Sequence, residues 1–284
     1  MKSIKYFTQF LLISILFLIF KIFGLKLSSY ISSKIIGFIG PFFRSKNLIK
    51  SNILKALPNL DDNRIEKILN EMWGNYGRIL AEYMFIKKFR NSEININITG
   101  QEILDKIRTS NEPVIFISGH FNNFELMAMH IEKSGIDLAA IYRPLNNKFL
   151  NLIMENIRIK YICKNQIEKG ISGTKKLLSF FKNGKSIALM IDQRVSQGIR
   201  SNFFEHSAFT TTIPAQFVKK FNCRIVPIYI ERTKGVNFTL TIHEPLKYTK
   251  KDTIESITLN LNCLLEKMIL NNPSQWIWTH DRWK

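Results

Sequence analysis

The segment V-I-F-I-S-G-H-F-N-N-F-E, residues 114–125, decides the fold class that the sequence predicts. Residues 114–118 form a short apolar run between a proline and a glycine, which is typical of a buried strand. A helical pattern follows at residues 123–133. A buried strand that leads into a helix is the repeating unit of parallel sheets. The segment therefore predicts an α/β fold.

The same alternation of short apolar runs and helical stretches continues along the rest of the chain. Further strands are predicted at residues 137–142, 186–192, 224–231 and 237–243, the last as a hairpin partner of the one before it. Further helices are predicted at residues 60–86, 148–161, 173–181, 213–221 and 252–270. Strands that alternate with helices predict a largely parallel central sheet flanked by helices.

The predicted helix at residues 60–86 has two features that bear on its packing. Asp61 or Asp62 can cap its amino terminus, because an aspartate side chain accepts hydrogen bonds from the free backbone N–H groups there. Gly74 and Gly77 lower the helix propensity slightly, and they allow a neighbouring element to approach closely.

An apolar segment near the amino terminus predicts a membrane anchor. Residues 7–23 read F-T-Q-F-L-L-I-S-I-L-F-L-I-F-K-I-F, close to the roughly 20 residues that span a bilayer. A signal peptide is the competing interpretation, but no small-residue cleavage pattern follows. A second apolar stretch, residues 28–43, is predicted to lie on the membrane or against the body. We therefore predict an anchor over residues 1–45, with its depth in the bilayer left open, and a globular domain over residues 46–284.

The charges around the anchor favour one orientation. Lys2 and Lys5 precede the apolar segment. The basic residues that lie near its end or follow it are Lys21, Lys26, Lys34, Arg44, Lys46 and Lys50. Because Lys and Arg are enriched on the cytoplasmic side of a membrane, the body is predicted to lie in the cytoplasm.

The composition indicates an anionic partner. The 41 Lys and Arg residues outnumber the 22 Asp and Glu residues, for a net charge of +19. Such a surplus fits nucleic acid, an anionic lipid surface or an acidic carrier protein. The basic residues are dispersed, and no nucleic-acid-binding motif is present, so we predict no nucleic-acid partner. The apolar amino terminus favours a membrane.

The three cysteines carry no predicted chemistry. Cys163, Cys223 and Cys263 lie far apart in the sequence and show no metal-ligand spacing. An odd, scattered set fits a reducing compartment. We predict a protein that needs neither a metal ion nor a cofactor.

His120 and Glu125 are the candidate catalytic residues. In open α/β sheets, sites form at the carboxyl ends of strands, where His120 lies. On an unbroken helix, residues five apart diverge by roughly 140°, so the two can meet only if His120 lies on the turn before the helix. Gly119 permits that turn, and Asn122 or Asn123 can cap the helix. Glu125 then accepts a hydrogen bond from one imidazole nitrogen and leaves the other as a general base.

This segment resembles the His-four-residues-Asp/Glu motif of the glycerolipid acyltransferase superfamily. Within that superfamily it is most similar to the lipid A biosynthesis acyltransferases, also called the lauroyl/myristoyl acyltransferases. The resemblance covers nearly the whole chain. Its motifs are the amino-terminal anchor, G-H-F-N-N-F-E at 119–125, Y-R-P-L-N-N at 142–147, the Arg158 region, D-Q-R at 192–194, F-F-x-H-x-A-x-T at 203–210 and Q-W-I-W-T-H-D-R-W at 275–283.

The chain departs from the family pattern at two places. The family commonly has Gly-Asn-Trp where this chain has Asn122-Asn123-Phe124, a change that keeps the His-to-Glu spacing. The closing motif usually ends His-Arg-Arg, whereas this chain has Asp281 between His280 and Arg282. The second departure bears on acceptor specificity and not on the chemistry.

The resemblance implies a function for residues 46–284 as an acyltransferase domain. It implies a catalytic His120–Glu125 dyad, a thioester of acyl carrier protein as the donor, and a location at the bacterial inner (cytoplasmic) membrane. His120 would take the proton from an acceptor hydroxyl as that oxygen attacks the thioester. Arg158 and Asp192 are expected to serve the oxyanion or to position substrate.

Three further residues are expected to bind substrate, namely Arg143, Asn123 and Arg194. A guanidinium binds phosphate with two hydrogen bonds, which suits the two arginines to an anionic lipid.

The sequence supports three hypotheses about function. The first is a late acyltransferase that esterifies a hydroxyacyl chain on a lipid A precursor. The second is an acyltransferase for another membrane lipid, such as a glycerophospholipid, a glycolipid or an aminolipid. The third is a non-catalytic basic protein that binds anionic lipid, and under it the replacement of His120 would leave function intact.

Overall fold

The computed structural model describes residues 2–92 and 94–284, without the side chain of Ile171. The α-helices are α1 (Lys2–Ile39), α2 (Lys46–Ala56), α3 (Asp62–Glu82), α4 (Ile86–Asn91), α5 (Gln101–Ser110), α6 (Glu125–Lys133), α7 (Lys148–Tyr161), α8 (Ile171–Lys182), α9 (Ile213–Phe221) and α10 (Ile254–Asn271). The strands are β1 (Ile96–Thr99), β2 (Ile115–Ser118), β3 (Leu138–Tyr142), β4 (Asn165–Glu168), β5 (Ser186–Met190), β6 (Ile199–Phe203), β7 (His206–Thr210), β8 (Ile225–Lys234) and β9 (Asn237–Ile242). Short 3-10 turns lie at Gly40–Phe42, Tyr83–Phe85 and Pro273–Gln275.

Seven strands form the central sheet, in the order β1-β9-β8-β2-β5-β3-β4. Strands β8, β2, β5, β3 and β4 run parallel, whereas β9 is the antiparallel hairpin partner of β8. β6 and β7 form a separate antiparallel hairpin. The predicted α/β fold with a largely parallel sheet and flanking helices is confirmed.

The strands that the sequence analysis missed include both edge strands of the sheet, β1 and β4. Each has four residues, of which one is buried. An edge strand faces solvent along one side, so it lacks the continuous apolar run that identifies the buried β2. The predicted helix at residues 60–86 also ends earlier than expected. Asp61 caps its amino terminus, as predicted, by accepting from the Arg64 N–H at 2.8 Å.

Helix α1 joins the two predicted apolar stretches into one element with a kink at Gly24, where φ is 75° and ψ is 171°. This backbone conformation favours glycine. The carboxyl half of α1 packs against α3 so closely that a Cβ atom at Gly77 would lie 2.1 Å from the Ser32 carbonyl oxygen. The predicted close approach at Gly77 is therefore confirmed, and the element that approaches is the apolar helix.

Helix α1 contacts the body near its amino terminus as well. Asn147 donates a hydrogen bond from Nδ2 to the Tyr6 carbonyl oxygen at 2.8 Å. The ring centroid of Phe149 lies 5.6 Å from that of Phe7. Between these ends, Phe20 is buried in a small cluster with the end of α3. The helix therefore lies along the body rather than projecting from it.

The outer face of α1 is apolar and exposed. Its exposed large side chains include Ile4, Phe7, Leu11, Leu12, Ile15, Leu18, Ile22 and Phe38. By length and composition the segment Lys2–Phe42 can cross a membrane, and its most apolar stretch has a mean hydropathy of 2.4. An apolar face of this length is unfavourable in water, which is consistent with a membrane anchor.

Candidate active site

His120 lies two residues beyond the carboxyl end of β2. This strand pairs in parallel with β5, in a register that sets Ser118 opposite Met190. Two residues further along, His120 and Asp192 lie opposite each other. Both occupy the carboxyl edge of the sheet, where the sequence analysis expected the site and where open α/β sheets bind ligands.

Asp192 holds the imidazole of His120 in one orientation. Nδ1 of His120 donates to Asp192 Oδ1 at 2.8 Å. The backbone N–H of His120 and the indole N–H of Trp276 both donate to Oδ2, each at 2.8 Å. Because Nδ1 carries the shared proton, Nε2 is the basic nitrogen. No residue in the described ranges hydrogen-bonds to Nε2, so it is free to accept a proton.

This geometry corrects two expectations from the sequence. The side chain expected to accept from the His120 imidazole was Glu125, but Asp192 accepts that hydrogen bond. Asp192 was expected to serve the oxyanion or to position substrate, but its side chain is hydrogen-bonded to the imidazole. The cause is the adjacency of β2 and β5, which brings together residues 72 positions apart.

The two partners shift each other's pKa in opposite directions. Burial alone lowers the pKa of His120, but the charge of Asp192 and the hydrogen bond to it outweigh burial and raise the pKa above its usual value. Burial alone raises the pKa of Asp192, but the charge of His120 and the hydrogen bonds to the carboxylate lower it to about 2. Asp192 is therefore ionised at neutral pH, and His120 is a stronger base than a free histidine.

Glu125 begins α6 and pairs with Arg158 of α7. Arg158 donates to Glu125 Oε1 from Nε at 2.9 Å and from Nη2 at 2.6 Å. The two side chains are only 10% and 12% exposed. The charge of Glu125 also raises the pKa of His120, so this pair lies within electrostatic reach of the imidazole. The third nitrogen of Arg158, Nη1, is buried and makes no hydrogen bond of normal geometry, with the Tyr83 hydroxyl beside the guanidinium. A donor of this kind can meet a substrate oxygen.

Asn122 and Asn123 do not cap α6, contrary to the sequence-based expectation. The N-cap residue is Phe124, whose side chain forms no capping hydrogen bond. Asn122 has a left-handed φ of 41° and donates a hydrogen bond to the side chain of Gln275. Asn123 is wholly buried and donates to Glu82 Oε2 at 3.2 Å. Asn123 therefore has a structural role inside the loop, and its expected substrate contact stays a prediction.

A buried ion pair between Glu82 and Arg232 is hydrogen-bonded to this loop through Asn123 and Asn122. Arg232 donates from Nη1 and Nη2 to the two Glu82 oxygens at 2.6 and 3.0 Å. Nε of Arg232 donates to Asn122 Oδ1 at 3.2 Å. Ser29 of α1 also donates to Glu82, at 2.9 Å. One network of polar side chains therefore connects the apolar helix to the loop that carries His120.

Residues of the carboxyl-terminal motif at 275–283 also form hydrogen bonds around the site. Trp276 donates to Asp192, as described above. Nε2 of His280 accepts a hydrogen bond from the backbone N–H of Arg194 at 2.9 Å. Arg282 is wholly buried and donates to Thr210 Oγ1 at 2.8 Å. The motif thus ties together the ends of β5 and β7 around the site.

Arg143 and Arg194 have different environments. Arg143 follows β3 at the carboxyl edge of the sheet and is exposed. Arg194 is half-buried, and its guanidinium lies 5.8 Å from the ring centroid of Phe209. The expected contact with an anionic substrate stays a prediction for both. Arg143 is the more accessible of the two.

Four residues of this site were not singled out by the sequence analysis, namely Glu82, Arg232, Gln275 and Trp276. The last two lie in the closing motif that carries the family resemblance, so that motif is a signal for them. Glu82 and Arg232 lie near the ends of a helix and a strand, where charged residues are common, and no local pattern distinguishes them.

A narrow slot opens beside His120. Its lining is mostly apolar and includes Met72, Tyr76, Ile79, Phe124, Trp276 and Ile277. The ring of Phe124 packs edge-on against the imidazole, with the centroids 4.8 Å apart. The slot has a volume of about 30 Å³, which does not accommodate an alkyl chain, so only the apolar character of its lining suits such a ligand.

The described residues offer little support for metal or thiol chemistry. No cluster of three or more His, Cys, Asp or Glu side chains that could hold a metal occurs in residues 2–92 and 94–284. The three cysteines are free, and burial raises the pKa of the Cys163 thiol to about 12. A thiol with so high a pKa is protonated at neutral pH and is a poor nucleophile.

Comparison with known proteins shows which family the chain matches. The family described as bacterial lipid A biosynthesis acyltransferase matches residues 1–284. A similar relative is a lipid A biosynthesis myristoyltransferase of Escherichia coli (strain K12), 22% identical over 248 residues, which are 85% of this chain and 75% of the relative. A lipid A biosynthesis palmitoleoyltransferase of the same organism is 20% identical over 262 residues, 90% of this chain and 84% of the relative. A lipid A biosynthesis lauroyltransferase from it is 22% identical over 252 residues, covering 85% and 79%.

Proposed function

Since the chain belongs to the family of bacterial lipid A biosynthesis acyltransferases, we propose that it transfers a fatty acyl chain from acyl carrier protein to a hydroxyl of a lipid A precursor. The observation that carries the mechanism is the His120–Asp192 pair, which leaves Nε2 of His120 free and basic at the end of an apolar slot. Residues 46–284 form the catalytic domain of this proposal, and residues 1–45 form its membrane anchor.

The proposed reaction is direct transfer from thioester to ester. Nε2 of His120 takes the proton of the acceptor hydroxyl while that oxygen attacks the thioester carbonyl carbon. The negative charge of Asp192 stabilises the imidazolium that forms. When the tetrahedral intermediate collapses, the carbon–sulfur bond breaks and the imidazolium returns its proton to the leaving thiolate. The products are an ester and a free thiol, and His120 is again neutral.

Glu125 and Arg158 form the second part of the proposed site. Arg158 Nη1 is a buried donor that makes no hydrogen bond of normal geometry, which supports a contact with the oxyanion of the intermediate. Glu125 holds two other nitrogens of the same guanidinium. Its charge also favours the imidazolium of His120. We therefore keep Glu125 in the catalytic group, acting through Arg158 and through its charge rather than through a hydrogen bond to the imidazole.

The proposed donor is a thioester of acyl carrier protein, an acidic partner. The net charge of +19 supports such a partner. Arg143 and Lys169 are exposed and follow β3 and β4, so they lie at the same sheet edge as His120. They are candidate contacts for an acidic carrier that delivers its thioester to that edge.

The proposed location is the cytoplasmic face of the bacterial inner membrane. The exposed apolar face of α1 and the basic residues around it support this location. A lipid acceptor reaches the site from the bilayer along α1, and the carrier protein approaches from water.

Acyl transfer in detergent tests the proposal. A radiolabelled acyl chain is offered on acyl carrier protein, with a lipid A precursor that carries its core sugar acids as acceptor. Glycerol phosphate is the comparison acceptor. The wild-type protein is expected to label the lipid A precursor. His120→Ala is expected to lower the rate by about 10²- to 10⁴-fold, the usual contribution of general-base catalysis.

His243→Ala is the matched control, because His243 is exposed and follows β9, away from the site. It should keep the wild-type rate. Transfer to glycerol phosphate alone would replace lipid A by another acceptor and keep the chemistry. A His120→Ala protein as active as the wild type would contradict the mechanism.

A further inference from the structure

A second cleft adjoins the slot at His120. It has a volume of about 600 Å³ and lies between α1, α3, the end of β8 and the turn before Trp276. Asn75, Ser274 and Gln275 line both the cleft and the slot. Nδ2 of Asn75 donates to the Ser274 carbonyl oxygen at 3.2 Å, so two of the shared lining residues are hydrogen-bonded to each other.

The charge lining this cleft is positive. Three cations line it, namely Lys34, Arg78 and Arg232. Glu82 neutralises Arg232 through the buried ion pair. Glu71 also lines the cleft, but it is exposed and lies 4.0 Å from Lys67. Two cations thus remain without a buried carboxylate.

Arg78 is the inner of these two cations. It is half-buried, and among the described residues its side chain has no carboxylate within 4.0 Å. Its hydrogen bond is from Nη1 to the Ser29 hydroxyl at 3.2 Å, a neutral partner. Burial lowers its pKa and the neighbouring charge of Arg232 lowers it further, whereas the charge of Glu82, to which Ser29 also donates, raises it. Because Glu82 is already paired with Arg232, the Arg78 guanidinium keeps donors that can bind an added anion.

The outer end of the cleft lies at the apolar helix. Lys34, Gly37 and Phe38 belong to α1, and Phe38 is 77% exposed on the face proposed to contact lipid. A ligand in the cleft therefore has one end at the membrane anchor and the other beside the slot that leads to His120. This apolar end of the cleft favours a lipid over a water-soluble carrier protein.

We propose that this cleft binds a phosphate group of the acceptor lipid, held by Arg78 and Lys34, and so directs the acceptor hydroxyl toward His120. The inference rests on the proposed acyl transfer to an anionic lipid. The planar guanidinium of Arg78 can bind two phosphate oxygens, and the Lys34 ammonium supplies a second charge near the lipid surface. Arg78 acts here as an acceptor-binding residue and not in the chemistry.

A comparison of two acceptor lipids distinguishes phosphate binding from other effects of replacing Arg78. One is the phosphorylated lipid A precursor, and the other is the same lipid after enzymatic removal of its phosphates. Steady-state transfer gives KM for each, and equilibrium binding to protein in nanodiscs gives Kd without any need for catalysis. Arg78→Gln is expected to raise KM and Kd for the phosphorylated lipid by roughly 10- to 100-fold, the usual effect of losing a charge-assisted contact. Both constants should stay unchanged for the dephosphorylated lipid and for the carrier thioester.

Two control variants guard against a merely structural effect. Arg64→Gln makes the same change on the same helix, at a side chain that is 74% exposed, and should keep the wild-type preference for phosphate. Ser29→Ala removes the hydrogen bond of Arg78 and the one from Ser29 to Glu82 without removing the Arg78 charge, and should also keep that preference. Arg78→Lys should restore part of the affinity. Thermal unfolding shows whether each variant is folded.

Each outcome decides between the inference and the proposed function. Equal binding of the two lipids by the wild type, or an unchanged preference in Arg78→Gln, would overturn the cleft assignment even if transfer proceeds. A rise in KM for the carrier thioester alone would assign the cleft to the phosphate of the donor and overturn it as well. Phosphate-dependent binding without any acyl transfer would contradict the proposed function and leave the cleft assignment standing.

Discussion

Two carboxylates lie near the imidazole of His120, and the fold uses them differently. Asp192 follows β5, is wholly buried and accepts three hydrogen bonds, one of them from the imidazole. Glu125 begins α6, five residues after His120, and accepts hydrogen bonds from Arg158. Proximity in sequence favoured Glu125, whereas strand adjacency selected Asp192. A hydrogen-bond partner at a sheet edge is thus set by the neighbouring strand more than by the local loop.

The largest expected effect in this comparison comes from Asp192→Asn. The amide keeps the size of the side chain but removes the charge that stabilises the imidazolium, and its NH₂ group can force the wrong imidazole tautomer. We expect kcat to fall by about 10⁴-fold, as for carboxylates that orient a catalytic histidine. The acyl-transfer assay measures it. Asp62→Asn, at an exposed position, should show no such loss.

Glu125→Gln is expected to have a smaller effect. It weakens the hold on Arg158 and removes one negative charge near His120, but it leaves the Asp192–His120 hydrogen bond intact. We expect kcat to fall by about 10- to 100-fold, less than the roughly 10²- to 10³-fold cost of losing an oxyanion donor, because Arg158 itself is kept. The same assay ranks the two variants. A Glu125→Gln loss larger than that of Asp192→Asn would return the imidazole-stabilising role to Glu125.

Trp276→Phe tests one hydrogen bond to Asp192 and leaves the Glu125–Arg158 pair unchanged. The variant keeps an aromatic ring in the core but removes the indole N–H that donates to Asp192 Oδ2. We expect a fall in kcat of only about 3- to 10-fold, because the carboxylate keeps its two hydrogen bonds to His120. Transfer kinetics with a thermal unfolding control distinguish this loss from misfolding. An equal loss in Trp278→Phe, whose indole donates to Pro273, would point to core packing instead.

The pH profile gives the smallest expected change. His120 must be neutral to act as a base, so kcat/KM should fall as the pH drops below the pKa of His120, which lies above its usual value. Removing the charge of Asp192 lowers that pKa, so the acidic limb of Asp192→Asn should move to lower pH. Glu125→Gln should move it in the same direction by less, because the charge of Asp192 is the larger influence on His120. An unshifted limb in Asp192→Asn would mean that another group sets the profile.

Much of the scaffold was predictable from local patterns. The helix at residues 148–161 and the hairpin partner of β8 lie where the sequence placed them, because long periodic or alternating runs are set by burial of one face. The short edge strands β1 and β4 escaped prediction, since only one of the four residues in each is buried. The caps expected at Asn122 and Asn123 failed because Gln275 and Glu82, distant in sequence, bind those side chains instead.

The sequence by itself determined the α/β class, the exposed apolar helix and the position of His120 at a strand end. These follow from hydrophobic periodicity and from one motif, and both are local properties. Only the tertiary structure decided that Asp192 pairs with the imidazole and that Arg78 faces a cationic cleft beside α1. The reason is physical: hydrogen bonds and charges act over a few ångströms in space. Strand order, register and helix packing decide which residues far apart in sequence come that close.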